Sequence, residues 1–374
     1  MLTALITVAV AAAPTLPAPG SILHTTERVA NWQLAHRDSI AHMPAANAGA
    51  LNPLDWQQAT FWLGMTALAD RDPRYRTPIL ALGRQQRWQL GSRPFHADDQ
   101  LIGQIWAWAA VHGAGKAALA PMQRYYDYLL AHRPTNDLAF IPDPSGHGDP
   151  PCTTRWCWCD ALFMAPPTLF ALSKLTGDPR YGAFADQEFR ATAQYLFDPR
   201  ERLFFRDSRF FDRRDDAGRK LFWSRGNGWV LAGLARILHT LPADDPSRVY
   251  YRTLFRTMAG RIAALQKPDG YWSASLLDTE AKQPESSGTA LFTYALASGI
   301  SLGVLDRATY QPIVVRGWQA LERAVQPNGM LGWVQQVGDR PDTASASATQ
   351  FYGSGALLLA GSAVYSLARE DRRH

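Results

Sequence analysis

Residues 285–303 read ESSGTALFTYALASGISLG: one short polar cluster, then a run without a single charge. A helix that is apolar on all sides has no face to offer water and belongs inside a core. The same arrangement occurs five more times. Asp55-Trp56 opens DWQQATFWLGMTALAD, and His96-Ala97-Asp98-Asp99 opens DDQLIGQIWAWAAVHG. Trp156-Cys157-Trp158-Cys159-Asp160 opens DALFMAPPTLFALSKLTG, and Arg225-Gly226-Asn227-Gly228 opens WVLAGLARILHTL. Gln350-Phe351-Tyr352-Gly353 opens SGALLLAGSAVYSLARE. Marked by Asp55, Asp98, Asp160, Arg225, Ser286 and Gln350, the steps are 43, 62, 65, 61 and 64 residues.

Between these runs lie segments with apolar residues at helical spacing on one face only, such as GAFADQEFRATAQYLF (182–197) and YQPIVVRGWQALERAV (310–325). Each period therefore pairs a buried helix with a half-exposed one. Loops echo the period as well: Asp72-Pro73-Arg74-Tyr75 returns as Asp178-Pro179-Arg180-Tyr181. Repeated helical hairpins stack and share one core. Inner helices this apolar favour a closed ring, where both flanks meet neighbours. In such a ring the inner helices run the same way, so the six polar clusters surround one mouth. The expected fold is all-α, a toroid of six helical hairpins whose inner-helix N-termini line a single pocket. Helix N-termini carry free N–H groups and positive potential, which suits an acidic ligand.

Composition narrows the function classes. The chain has 374 residues, 38 Lys plus Arg against 33 Asp plus Glu, and a net charge of +5. So dilute a charge does not make a nucleic-acid footprint, which needs clustered Lys and Arg. At 47% hydrophobic residues the chain buries enough surface to fold. No membrane span is expected in the mature chain. Residues 1–13, MLTALITVAVAAA, followed by Pro-rich TLPAPG, resemble a secretory leader. Residues 1–20 are accordingly assigned to a signal peptide and Pro-rich leader, and 21–374 to one catalytic domain, with a periplasmic or secreted location. Cys152, Cys157 and Cys159 lack partners at metal-site spacing, so no metal or other cofactor is expected. In an oxidising compartment one pair can bond, but small buried residues are the expected role.

Asp98 and Asp160 form the best carboxylate pair, since each starts an inner helix and faces the mouth. Two carboxylates are the usual tool for glycosidic cleavage, whereas an Asp at such a position otherwise caps its helix. Trp158 and its neighbours would disfavour the charged form of Asp160 and make it a usable acid. In Trp223-Ser224-Arg225-Gly226-Asn227-Gly228-Trp229 the indoles offer flat faces to sugar rings, and Arg225 offers a planar fork for a carboxylate. His96, Asn227 and Ser287 complete the expected substrate-binding set with Trp158, Trp223, Trp229 and Arg225.

WCWCDALFMAPPTLFALSKLTGDPRY, FWSRGNGWVLAGLARIL and ESSGTALFTYALASGI resemble glycoside hydrolase family 105, the unsaturated rhamnogalacturonyl hydrolases, related to family 88. The resemblance spans about residues 25–368. It implies an (α/α)6 barrel and an acidic oligosaccharide substrate that carries a 4,5-unsaturated uronic acid at its non-reducing end. It further implies hydration of the ring's vinyl ether double bond, with Asp160 and Asp98 as the acting carboxyls and Arg225 as a matching site residue. One departure stands out: some members carry a His where this chain reads Phe205-Arg206-Asp207-Ser208-Arg209, which leaves the aglycone open. An ordinary glycosidase, a sugar epimerase or a non-catalytic glycan binder fits the same barrel, because fold alone does not decide chemistry.

Overall fold

The computed structural model describes residues 15–43, 48–145 and 148–372. Residues 1–14 of the expected leader, and His147, lie outside them. Six inner helices form the ring: α2 (Trp56–Ala69), α4 (Ile102–Ala109), α6 with α7 (Ala161–Met164, Pro166–Thr176), α9 (Ser224–Thr240), α11 (Ser286–Ser301) and α13 (Phe351–Asp371). Each packs on the next, and α13 returns to α2, which closes the circle. Outside it lie α1 (Pro19–Ala35), α3 (Arg76–Gln85), α5 (Lys116–Ala131), α8 (Pro179–Leu196), α10 (Arg248–Ala264) and α12 (Arg307–Ala324). The architecture is the (α/α)6 barrel.

Burial follows the two kinds of sequence pattern. Nearly every residue of α2 and α11 is buried. In α8 burial falls on Tyr181, Phe184, Ala185, Glu188, Phe189, Thr192, Ala193 and Leu196, the one-sided stripe of an outer helix. Inner helices approach closely where they lack side chains. A Cβ on Gly64 would stand 2.5 Å from the Gly355 carbonyl oxygen, so α2 and α13 close the ring backbone to backbone.

The structure differs from the sequence expectation at three places. The run after Asp160 is two helices rather than one. Pro166 and Pro167 lack the N–H groups that would continue α6, and they restart the chain as the first turn of α7. Helix α1 packs against α13, so the chain enters the ring on an outer helix and leaves it on an inner one. Cys152 and Cys157 form a disulfide, and Cys159 is the buried free thiol. By length and hydropathy α13 could cross a membrane, but most of it is buried as a wall of the barrel.

A hairpin of two two-residue strands lies between α8 and α9. Strands β1 (Phe197–Asp198) and β2 (Leu203–Phe204) pair antiparallel, with Phe197 opposite Phe204. This hairpin delivers the 205–210 segment to the mouth of the barrel.

Candidate active site

A cavity of about 200 Å³ opens among the N-terminal ends of the inner helices. Its wall carries two carboxyls, Asp98 and Asp160, two guanidiniums, Arg206 and Arg225, and four indoles, Trp56, Trp158, Trp223 and Trp229. Met164 and the loop residues Val337 and Gly338 complete it. Larger clefts of about 520 and 660 Å³ lie against outer helices α8 and α10, and neither gathers facing carboxyls and indoles. Chemistry rather than volume selects the site.

Asp160 immediately precedes α6 but does not cap it. Its backbone is already helical, and its side chain makes no bond to the helix's N–H groups. Among the described residues its carboxyl has one hydrogen-bond partner, the Cys159 thiol, at 3.4 Å. Burial pushes its pKa up, while Arg206 and then Arg225 pull it down. Asp98 lies in a short 3-10 turn (Ala97–Gln100) before α4. Burial raises its carboxyl to about 7, with the charges of Asp160 and Asp99 adding to the rise and Arg93 opposing it. Adjacent Asp99 is spent elsewhere: it accepts the Arg93 backbone N–H at 2.8 Å and the Arg93 guanidinium at 2.6 and 3.1 Å. Asp55 caps α2 through the Gln57 N–H and is raised to about 6, mainly by burial.

The polypeptide before Asp160 is held in an unusual shape. Trp156 adopts a left-handed conformation (φ 59°), which a bulky side chain keeps only where its surroundings enforce it. The Cys152–Cys157 disulfide brackets it, and the Thr192 hydroxyl donates to its carbonyl at 3.0 Å. Two residues on, Trp158 faces the cavity, with the His96 ring 5.0 Å away on its other side. His96 Nδ1 accepts the Asp98 N–H at 3.3 Å, and burial lowers its pKa to about 4. His96 is therefore neutral, and it orients Asp98 from behind the cavity wall.

Arg225 is fully buried. Its Nη1 donates to the Gln335 carbonyl (2.7 Å) and its Nη2 to the Gln336 carbonyl (2.8 Å). Its plane lies over Trp223 and Tyr352, at 4.3 and 4.8 Å from the ring centres. Trp223 Nε1 donates to Gln335 Oε1 at 2.8 Å, and Trp229 packs on Phe163. Three expected contacts are corrected, the first being His96, which is not among the residues that line the cavity. The Asn227 amide does not line the cavity. It accepts the Phe204 N–H (2.7 Å) and donates to the Phe204 carbonyl (3.0 Å), pairing with β2 as a further strand would. Ser287 also stands behind the wall, its hydroxyl donating to Glu285 at 2.5 Å and accepting weakly from Arg225 at 3.4 Å.

Arg206, Trp56 and Tyr352 were absent from the expected set. Trp56 stacks on Tyr352 with ring centres 4.9 Å apart, and the Tyr352 hydroxyl donates to the Gln335 carbonyl. Arg206 sits two residues beyond β2, and its carbonyl accepts the Cys159 N–H at 2.8 Å. A charged pair, Arg206-Asp207, directly after the apolar run Leu203-Phe204-Phe205 was the only local hint of it. Among the described residues no cluster of three or more His, Cys, Asp or Glu is arranged to hold a metal ion.

Residues 25–368 match the family described as Glycosyl Hydrolase Family 88. An "Unsaturated 3S-rhamnoglycuronyl hydrolase" of Alteromonas sp. strain LOR is 39% identical over 345 residues, covering 90% of this chain and 84% of that protein. A protein of the same name from Formosa agariphila is 38% identical over 329 residues, covering 85% of this chain and 86% of the relative. Among solved structures, a "Glycosyl hydrolase family 88 from Bacteroides vulgatus" superposes with a TM-score of 0.80 at 28% identity, covering 94% of this chain and 99% of that one.

Proposed function

The chain belongs to glycosyl hydrolase family 88, and we propose that it removes a non-reducing-end 4,5-unsaturated uronic acid from lyase-generated oligosaccharides by hydrating the double bond. The observation that carries this reading is Asp160: a buried carboxyl, uncommitted to its helix, on a cavity wall shared with Asp98 and two guanidiniums. A vinyl ether is inert near neutral pH because protonation at carbon is slow, so the protein must supply an acid that keeps its proton. Burial raises the Asp160 pKa and so favours its protonated form, against the pull of Arg206 and Arg225.

In this mechanism Asp160 gives its proton to C4, and positive charge develops at C5, shared with the ring oxygen. Water adds at C5 and passes its proton to the carboxylate pair, with Asp98 holding the water. The hemiketal so formed opens to a ketone at C5, and the freed C1 hemiacetal expels the rest of the chain. The net change is one water added and one glycosidic bond lost. The indoles give the sugar apolar faces to lie on. Both relatives are named for an unsaturated 3S-rhamnoglycuronyl unit; at this identity we take the same unit as the substrate class of this chain.

The test uses the substrate's own chromophore. An unsaturated uronyl disaccharide absorbs ultraviolet light through its conjugated double bond. Hydration abolishes that absorbance as the sugar is released. Release with the absorbance intact would instead mean ordinary glycoside hydrolysis, and binding without either would mean a lectin. Export from the cytoplasm is part of the same proposal, supported by the Cys152–Cys157 disulfide, a bond that persists in oxidising compartments. N-terminal sequencing of the protein from a periplasmic or secreted fraction checks it; an intact Met1 in a cytosolic fraction would overturn it.

A further inference from the structure

We propose that Arg206 reads the carboxylate of the unsaturated uronic acid, while Arg225 acts as the strut of the loop that roofs the cavity. The proposal rests on the hydratase reading above, and it divides between two arginines a task the sequence suggests for Arg225 alone.

The substrate sets the first requirement. Its carboxylate is bonded to C5, next to the C4 that receives the proton. The group that reads the carboxylate must therefore stand beside the proton donor. Both arginines line the cavity with Asp160, so proximity alone does not choose between them.

Commitment of the donors does choose. The terminal nitrogens of Arg225 are 2.7 and 2.8 Å from two main-chain carbonyl oxygens, those of Gln335 and Gln336. A carboxylate brought to that edge would face two oxygens already in place. The same two bonds hold the chain just ahead of Val337 and Gly338, the residues that cover the cavity. Arg206 is less committed. Among the described residues its side chain makes one hydrogen bond, Nη1 to Asp207 Oδ2 at 2.7 Å, so both groups of its Nε–Nη2 edge lack a protein acceptor; the buried Nε of Arg225 lacks one as well, but the Nη2 that shares its edge is already bound. A buried N–H without an acceptor is costly, and a carboxylate is the acceptor that suits a guanidinium edge.

Position is fixed from three sides. Asn227 brackets Phe204 through both of its backbone groups, which sets β2. The Arg206 carbonyl takes the Cys159 N–H, which locks its register to Asp160. Asp207 has no exposed side-chain surface and anchors Nη1. Asp207 is also held by Arg209, Nε to Oδ1 at 2.9 Å and Nη2 to Oδ2 at 2.8 Å. Removing the Arg206 side chain thus leaves Asp207 paired, and such variants should fold.

The experiment compares the unsaturated disaccharide with its uronate methyl ester, which keeps the double bond and removes the charge. Wild type should prefer the acid by about 10²-fold in kcat/KM, the loss expected when a charge-assisted hydrogen bond goes unmade. R206Q should lose that preference to within a few-fold of unity, and R206K should keep part of it, since a point charge replaces a fork. R225Q should lose activity on both substrates with the acid-to-ester ratio nearly unchanged. Melting temperatures establish that each variant is folded. Should R206Q be too slow to assay, calorimetric binding of acid and ester to D160N and to the D160N/R206Q double variant gives the same ratio. A wild-type ratio retained in R206Q, or lost in R225Q, would overturn the proposal. Failure of the hydratase reading looks different: wild type would leave the chromophore intact on both substrates.

Discussion

Two inner helices begin with a buried acid, and the two acids do opposite things. At the start of α11, Glu285 spends its carboxylate on the fold. Its Oε1 accepts the Ser287 N–H (2.8 Å) and hydroxyl, its Oε2 accepts the Gly288 N–H (2.7 Å), and the Gln335 N–H adds a longer contact. At the start of α6, Asp160 makes none of these bonds to its helix and is left with a thiol. Both side chains are almost fully enclosed, 1% and 8% exposed. Burial alone therefore does not mark a reactive carboxyl. What marks it is burial without hydrogen-bond donors, since donors hold the charged form and their absence holds the proton.

The strongest way to break this contrast is to neutralise both acids. Asp160→Asn should lower turnover of the unsaturated disaccharide at least about 10²-fold, the usual contribution of a positioned acid. Its melting temperature should barely move, because there is no cap to lose. Turnover within a few-fold of wild type would remove Asp160 from the chemistry. Glu285→Ala should do the reverse in kind, costing about 2–4 kcal/mol in urea denaturation as several buried donors lose their acceptor. If it unfolds no more easily than wild type, the cap is not the role of Glu285.

Asp98 sharpens the contrast through pH. Its folded pKa of about 7 lies above the ordinary 3.8, so the native state binds this proton more tightly than the unfolded chain does. The stability this brings is complete in acid and is lost as pH rises towards about 7. Asp98→Asn should then be more stable than wild type at pH 8, by at least about 1 kcal/mol, the worth of one pKa unit. The margin should vanish near pH 4. Denaturation curves at both values decide it, and a variant less stable at pH 8 would contradict the assigned shift. Wild-type turnover should fall above about pH 7 as the carboxylate pair loses its proton. The smallest effect expected is none at all: enol ether hydration needs only a proton and water, so dialysis against a chelator should leave the rate unchanged. A loss restored by one metal would refute that.

The inner helices were legible because a core helix repeats its chemistry on every side, and six such runs, the last five at steps of 61–65 residues, point to a ring. Asp98 and Asp160 were legible for the same reason, as they stand at the polar punctuation between runs. Helix α1 was not, although Ile22, Thr26, Val29, Ala30 and Gln33 are buried on one face, because it follows directly on the Pro-rich TLPAPG segment and its main partner, α13, lies over 300 residues away. Arg206 was hidden more deeply. Its place is set by Asn227, 23 residues from Phe204 in the chain, and by Cys159, and pairings of that kind leave no local pattern. Asn227 and Ser287 were misjudged in the opposite direction: each lies in the first turn of an inner helix that serves the site, and each turns its side chain to the scaffold.

The closure of α13 onto α2 also has a consequence in time. Helix α2 waits for α13 before its flank is covered, and α1 waits for the same partner. Contacts this distant in sequence slow folding and leave apolar surface open to wrong partners meanwhile. A nascent chain that stops before residue 351 is thus a horseshoe with two uncovered edges, α2 and α11, which expose it to quality control until the twenty-one residues of α13 arrive.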